Sequence, residues 1–306
     1  VAFGLSNAPT YFQSVIQREV LGELHGKACL LYIDDIVILG RSEAEFLKNL
    51  QAVLKRLQEK GIAIKPSKCK LGVSTVEYVG LLISGEKVEM TPSRKKAIAD
   101  IQLPKSVTKL RSFLGLLNYF RDHIRDYANL TAPLHELLLG NPAKKAAVKW
   151  TPVAADCFRR CREAAARSET LYHLEPEGDV ILHTDASDKA IGGVVTQRRG
   201  GKEYPIIFIS KKLSKSQQNY STSDKEMLGI FHCIRAAHQL LAGRRFEVYT
   251  DHRALQTIKV SASARVERMK LALAEYDFKI NYIKGTDNEI ADLLSRPDDD
   301  EIDDED

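Results

Sequence analysis

The sequence predicts a chain of two parts, an α+β region followed by an α/β region on a mixed five-stranded sheet. Its length of 306 residues suits about two domains. Its first half mixes one hairpin and further short strands with amphipathic helices, whereas from residue 178 strands and helices follow one another closely. We therefore expect two folded regions of different architecture.

The first region begins with a predicted helix over residues 6–20, with Ser6 as its N-cap and Pro9 in its first turn. The segment ACLLYIDDIVIL then predicts a β-hairpin with two aspartates at its turn. Ser42 and Glu45 have the spacing of a capping box, and the helix behind it should end at Gly61. The expected apolar stripe of that helix is Phe46, Leu47, Leu50, Val53, Leu54 and Leu57.

Residues 62–90 are strand-like, and residues 92–140 predict short amphipathic helices broken by Pro104 and Pro133. The segment 140–152, GNPAKKAAVKWTP, is the best candidate for a linker or a domain boundary. A further helix should extend to about residue 169.

The second region contains three closely spaced strands, then a long helix over 223–241 and two more strands separated by a helix over 265–276. A short helix over 289–295 should close it. A mixed sheet covered by helices fits this order. The strands are DVILHTD, IGGVVTQ, EYPIIFIS, RFEVYTD and FKINYI.

The charge of the chain is distributed unevenly. The net charge is +4, but residues 298–306 hold eight acids in nine positions, which predicts a disordered tail. The first 297 residues keep 45 basic and 33 acidic residues, a net charge of +12. Such a body favours a polyanion such as nucleic acid, although a well-solvated surface would look the same.

Composition excludes several classes. With 44% hydrophobic and 28% charged residues, wholesale disorder is excluded. We find no apolar run of membrane-spanning length and no signal-peptide pattern. The five cysteines form no CxxC pair, which favours reduced thiols and an intracellular location.

Carboxylates at strand ends are the strongest chemical signal. Asp185 and Asp251 end two apolar strands in similar settings, HTDAS and YTDHR; Glu226 lies early in the long helix and Asp292 on the last one. Converging carboxylates repel one another unless cations separate them, so we expect two Mg²⁺ ions about 4 Å apart. Taken singly, each acid is also explained as an ordinary turn, helix-end or surface residue.

Asp34 and Asp35 form a second acidic pair, at the tip of the predicted hairpin. Adjacent acids are common in turns, but buried-looking flanking strands would hold these two rigidly. A two-metal polymerase site needs a further carboxylate from a neighbouring strand. The only earlier acids, Glu19 and Glu23, fall on the predicted helix.

Eight ordered motifs resemble the pol polyprotein of gypsy-like LTR retrotransposons. The four in the first half are FGLSNAPTYFQ (3–13), YIDD (32–35), KPSKC (65–69) and EYVGLLIS (77–84). The resemblance implies a reverse transcriptase palm in which Asp34 and Asp35 bind metal. It also implies nucleotide or template contacts by Phe3, Gly4, Pro9, Gln13 and Lys68.

The four motifs in the second half, at 183–195, 213–230, 246–255 and 285–296, match the family's ribonuclease H. The resemblance implies that Asp185, Glu226, Asp251 and Asp292 are the nuclease carboxylates and metal ligands, with Mg²⁺ or Mn²⁺ as the ion. It further implies four regions: a partial palm over 1–90, thumb, connection and linker over 91–175, a ribonuclease H-like domain over 176–297, and the acidic tail over 298–306.

The family's fingers and first catalytic palm strand have no counterpart here, so we do not expect this chain alone to polymerise DNA. The expected partners are RNA–DNA hybrids and primer-template, deoxynucleotides if the palm is completed, and other pol or gag products, with no membrane. The expected location is a cytoplasmic particle or the nucleus. The alternative is an inactive or co-opted fragment that binds nucleic acid without turnover.

Overall fold

The structure, a computed structural model, describes residues 7–253 and 263–283. The chain divides into two compact units, Val1–Val79 and Gly80–Asp306. Within the described ranges, no helix combines the length and apolarity that crossing a bilayer requires. The mixture of helices with antiparallel and mixed sheets confirms the predicted fold class.

The first unit opens with α1 (Ala8–Val15), which has Pro9 in its first turn and continues as a π-helical segment, Ile16–Leu21. The predicted helix 6–20 therefore changes its hydrogen-bonding pattern halfway, and Ser6 lies outside the described residues. The predicted hairpin is present as β1 (Cys29–Tyr32) and β2 (Asp35–Ile38).

Helix α2 (Glu43–Glu59) begins with half of the predicted capping box. The Ser42 hydroxyl accepts the Glu45 N–H at 3.2 Å, but the Glu45 carboxylate accepts the N–H of Arg41, one residue earlier than expected. Leu47 and Leu54 are exposed, so the predicted stripe is wider than the buried face. A 3-10 turn (Pro66–Lys68) and β3 (Thr75–Tyr78) follow. The core of this unit is Val20, Leu21, Cys29, Leu31, Val53 and Leu57.

The second unit begins with an antiparallel ladder in which β5 pairs with both β4 and β6. Four helices pack into one apolar cluster centred on Phe113, Phe120 and Phe158. The strands are β4 (Leu81–Ser84), β5 (Lys87–Met90) and β6 (Leu171–Tyr172), and the helices are α3 (Pro92–Ala99), α4 (Val107–Tyr119), α5 (Tyr127–Glu136) and α6 (Pro152–Ala166).

The two prolines of this region behave differently. Pro104 separates α3 from α4, as predicted, whereas Pro133 lies inside α5 and does not break it. The proline removes one helical N–H, and the helix ends only three residues later, at Glu136. The fully buried Leu134 beside it anchors the helix in the core, which favours the helix despite the lost bond.

Segment 140–152, the candidate for a linker or a domain boundary, is hydrogen-bonded to residues of the second unit. Val107 N–H donates to the Ala146 carbonyl at 3.0 Å, and Val148 N–H donates to Lys105 at 3.2 Å. The Trp150 indole donates to the Pro104 carbonyl at 2.9 Å. The division between units lies at 79/80, while the finer boundaries at 90/91 and 175/176 stay predictions.

The rest of the second unit is built on a five-stranded sheet in the order β11-β10-β7-β8-β9. Strands β7, β8 and β9 are antiparallel neighbours, whereas β10 runs parallel to both β7 and β11. The predicted mixed sheet is thus confirmed. Its strands are β7 (Asp179–Ala186), β8 (Ala190–Arg199), β9 (Lys202–Lys212), β10 (Arg245–Thr250) and β11 (Asp277–Tyr282).

The predicted helix 223–241 is in fact two helices. The backbone leaves α-helical geometry at Ala237 (φ −93°, ψ 18°), and the short second helix ends with Leu241 fully buried in the core. The helices of this region are α7 (Lys215–Gln218), α8 (Thr222–Ala236), α9 (His238–Leu241) and α10 (Ala264–Leu273). The predicted helix 289–295 and the acidic tail lie outside the described residues.

A glycine sets how closely α8 packs on the sheet. A Cβ on Gly193 would lie 2.7 Å from the His183 carbonyl oxygen and 2.9 Å from Cys233 Sγ of α8. Neither neighbour can move away, because the His183 carbonyl is part of the β7 backbone and Cys233 is fully buried in the core. The absence of a side chain at Gly193 therefore allows α8 to lie directly against β7 and β8.

Candidate metal centre

Two of the predicted acids lie at the same edge of the sheet. Asp185 is the penultimate residue of β7, and Asp251 directly follows β10. The parallel register pairs His183 with Tyr249, so each aspartate stands two residues beyond a paired position. Neighbouring strands are about 4.8 Å apart, which brings the two carboxylates together.

Glu226 reaches the same point from the second turn of α8. One carboxylate oxygen from each of Asp185, Glu226 and Asp251 lies within 4.8 Å of the others. The aspartates are exposed, whereas Glu226 is only 4% exposed. The structure therefore brings together three of the four acids that the sequence predicts, with the glutamate at the base of the group.

One oxygen of Glu226 has no hydrogen-bond partner. The Ala186 N–H and the Thr250 hydroxyl donate to this carboxylate, yet its Oε2 atom is buried and unpartnered. A buried polar atom without a partner is costly, and three hard oxygen donors at this spacing suit Mg²⁺ or a similar ion. The residues therefore fit a divalent metal.

The electrostatics of the cluster agree with that fit. Burial and the charges of Asp251 and Asp185 raise the pKa of Glu226 to about 8. The pKa of Asp185 is also raised, first by loss of hydrating water and then by the charge of Asp251. A bound cation would favour the ionised form of both groups.

Sequence reasoning missed a further acid near this cluster. Asp126 precedes α5 in a left-handed conformation (φ 45°). Its pKa is raised by burial and by the charge of Asp185, against a hydrogen bond from Asn129 that lowers it. The next helix residues are tied to the sheet, since Ala128 N–H donates to the Ser210 hydroxyl of β9. No local pattern signals this proximity, because it arises from the packing of α5 on the sheet.

The second acidic pair lies in the first unit. Asp35 pairs with Tyr32 across a two-residue turn made by Ile33 and Asp34, and both aspartates are exposed. Ile33 has φ 54°, an unfavourable conformation for a β-branched residue that is found mostly where the surroundings impose it. In residues 7–253 and 263–283, the group of three metal-ligating side chains contains neither aspartate.

The other predicted contact residues are dispersed. Pro9 and Gln13 lie on α1, and the exposed Lys68 lies on the 3-10 turn. Phe3, Gly4 and Asp292 fall outside the described residues. Their predicted roles, and those of all the acids above, stay predictions.

Two protein-family models match the chain. Residues 1–83 match the reverse transcriptase (RNA-dependent DNA polymerase) family, and residues 175–276 match the RNase H-like domain found in reverse transcriptase. The second match contains Asp185, Glu226 and Asp251. Enzymes of these two families generally depend on divalent metal ions.

The chain is also similar to transposon polyproteins and to solved structures of a reverse transcriptase. The chain is 35% identical to the Tf2-3 and Tf2-7 transposon polyproteins of Schizosaccharomyces pombe over 301 residues, which is 96% of this chain and 22% of each relative. The foamy viral protease-reverse transcriptase has been solved with dsDNA (TM-score 0.72, 93% of this chain, 60% of that chain) and with an RNA/DNA hybrid (TM-score 0.71, 93% and 39%). At 23% identity, these structures show the fold alone.

The two family matches and the similarity to retrotransposon polyproteins lead to the same assignment. The chain spans about a fifth of the length of the curated relatives it matches. It carries a reverse transcriptase region followed by an RNase H-like domain. The chain therefore belongs to the reverse transcriptase and ribonuclease H family of LTR-retrotransposon pol polyproteins.

Proposed function

We propose that this chain hydrolyses the RNA strand of RNA–DNA hybrids, with Mg²⁺ held by Asp185, Glu226 and Asp251. The observation that carries the proposal is the meeting of three carboxylate oxygens within 4.8 Å around a buried, unpartnered Glu226 oxygen. Asp292 would complete the ligand set from outside the described residues, and Mn²⁺ would serve as an alternative ion.

Each carboxylate has a distinct role in this proposal. The exposed Asp185 and Asp251 face solvent at the edge of the sheet, where a phosphodiester can approach. Glu226 is fixed behind them by the Ala186 N–H and the Thr250 hydroxyl. Two bound divalent ions would supply an activated water and stabilise the leaving 3′ oxygen.

The proposed substrate is an RNA–DNA hybrid. A foamy viral protease-reverse transcriptase of the same fold has been solved in complex with such a hybrid and with dsDNA, which supports a nucleic-acid substrate. Recognition would depend on groove shape and 2′-hydroxyl contacts rather than on base sequence. Deoxynucleotides, other pol or gag products and an intracellular particle or nuclear location stay predictions.

Polymerase activity is a separate question. Residues 1–83 match the reverse transcriptase model, and Asp34 with Asp35 would contribute two metal ligands. In the part of the chain that the structure describes, no third acid joins that pair in a group of metal-ligating side chains. We therefore expect DNA synthesis only when a further palm strand supplies the missing carboxylate.

The test is cleavage of a hybrid with labelled RNA in the presence of Mg²⁺, by the full chain and two variants. Asp185→Asn should lower the rate at least about 100-fold, since it removes a charge that the ions require. Asp179→Asn changes an exposed acid at the opposite end of the same strand and should leave the rate unchanged.

Each other outcome has a definite meaning. Hybrid binding without cleavage by the wild-type chain would replace the proposal with that of a nucleic-acid-binding fragment. Equal cleavage by the wild-type chain and Asp185→Asn would show that the activity does not arise at this centre.

A further inference from the structure

A buried lysine stands next to the glutamate of the metal centre. Lys225 precedes Glu226 on α8, and its side chain is only 9% exposed. Its ammonium Nζ lies 2.7 Å from Asp188 Oδ1, at the tip of the β7–β8 hairpin. Lysine is almost never buried without a partner, so this ion pair accounts for how Lys225 is tolerated there.

Stability alone does not account for the pair. Lys225 lies near the N-terminal end of α8, where the helix dipole disfavours a cation. Its partner is 92% exposed, so water screens the charge of Asp188 and weakens the pair. The pair is therefore better explained by its position beside the carboxylates of the metal centre than by its contribution to folding stability.

The hairpin tip that carries Asp188 is itself well held. The Ser187 hydroxyl accepts the Ala190 N–H at 3.0 Å and lies 2.9 Å from the Ala190 carbonyl. Lys189 is joined to the end of β9, since Leu213 N–H donates to the Lys189 carbonyl at 2.8 Å. Asp188 thus presents its carboxylate from a fixed backbone, three residues after Asp185.

Helix α8 consequently meets the end of β7 at two adjacent points. Glu226 accepts the Ala186 N–H, and Lys225 binds Asp188 two residues further along the chain. These two contacts, from adjacent helix residues to residues 186 and 188, add to the apolar packing of α8 and align this turn with the end of β7.

We propose that the Lys225–Asp188 ion pair is a positioning device that fixes the Glu226 carboxylate relative to Asp185. The inference rests on the proposed function, because it concerns the geometry that a divalent ion requires. Contacts that orient metal ligands typically change metal affinity by about 10- to 100-fold when removed. Neither Lys225 nor Asp188 needs to touch the ion or the substrate.

The test compares Mn²⁺ binding, measured by electron paramagnetic resonance on the full chain, with the Mg²⁺ dependence of hybrid cleavage. Lys225→Met and Asp188→Asn should each weaken Mn²⁺ binding and raise the Mg²⁺ concentration for half-maximal cleavage by about tenfold. The rate at saturating Mg²⁺ should stay within about twofold. Asp188→Glu keeps the ion pair at an exposed site and should restore wild-type binding.

Two further variants separate positioning from a general effect of charge. The double variant Lys225→Met/Asp188→Asn should bind Mn²⁺ no more weakly than the single variant of lower affinity, because both changes break the same interaction. Arg235 lies near the other end of α8 and forms an ion pair with Glu275. Arg235→Met removes that pair and should leave metal binding unchanged.

Unchanged Mn²⁺ binding in the two single variants would overturn the inference and leave the proposed function intact. So would a rate that falls at saturating Mg²⁺ while the Mg²⁺ requirement stays the same. A wild-type chain that neither binds Mn²⁺ nor cleaves hybrids would overturn the proposed function and this inference together.

Discussion

Replacing Glu226 with glutamine should stabilise the metal-free fold at alkaline pH, although it removes a predicted metal ligand. In the folded chain the Glu226 pKa is about 8, because the carboxyl is buried beside the charges of Asp251 and Asp185. In the unfolded chain the same group ionises near 4.5. Glutamine has the same shape, stays neutral and can still accept from the Ala186 N–H.

The direction and size of the effect follow from these two pKa values. Between pH 4.5 and about 8 the unfolded chain has released a proton that the folded chain keeps, so the stability of the wild-type fold falls as pH rises. Each pKa unit corresponds to about 1.4 kcal/mol, which gives a loss of about 5 kcal/mol by pH 9. Glu226→Gln has no such group and avoids this loss.

The assay is urea unfolding of the full chain in a metal chelator at pH 5, 7 and 9. The single tryptophan, Trp150, packs against Phe158 and reports on the second unit, while hydrogen exchange of β7 and α8 localises the change. Glu226→Gln and wild type should be nearly equal at pH 5 and differ by several kcal/mol at pH 9. An equal pH dependence of the unfolding free energy in wild type and Glu226→Gln would refute the reasoning. Glu177→Gln, which changes an exposed glutamate, is the control.

Four smaller predictions follow from other parts of the structure. Gly193→Ala should destabilise the fold by about 1–3 kcal/mol in urea unfolding, because its Cβ would clash with the neighbouring strand and α8. Gly192→Ala meets nothing closer than 3.8 Å and should be tolerated. Glu203 is partly buried, which raises its pKa, but hydrogen bonds from a histidine, a threonine and an arginine lower it to about 2. Glu203→Gln should therefore remove about 3 kcal/mol of stability above pH 4.5, a difference that fades as pH falls towards 2. Ile33→Gly should raise the stability of the first unit by about 1 kcal/mol by relieving the positive φ, as read by protease resistance; no change would show that the turn is unstrained. Limited proteolysis should cut residues 7–79 before the five-stranded sheet, because the buried apolar cluster described there is small.

The part of the site that depends on strand order could be predicted from the sequence. Asp185 and Asp251 follow apolar strands in similar settings, and parallel neighbours place their ends at one edge. The sequence also predicted that Glu226 lies early in the long helix. It did not predict how closely that helix would pack on the sheet. That distance depends on Gly193, whose role appears only once α8 lies on the sheet.

What the sequence could not predict depends on packing between distant segments. Asp126 approaches Asp185 from a helix about 60 residues earlier, through the docking of α5 on β9. Pro133 stays inside α5 because the buried Leu134 holds the helix in the core against the proline's preference. Segment 140–152 has the composition of a linker, yet its backbone is hydrogen-bonded to residues 105–108.

The measurement that tests the central claim most directly is a crystal structure of the chain with Mn²⁺, using the anomalous signal of the metal. Our account predicts one or two anomalous peaks bounded by Asp185, Glu226 and Asp251, with carboxylate oxygens at about 2.0–2.2 Å, and their loss in Asp185→Asn. A chain that cleaves RNA–DNA hybrids while its metal peaks lie elsewhere would contradict the assignment of this centre.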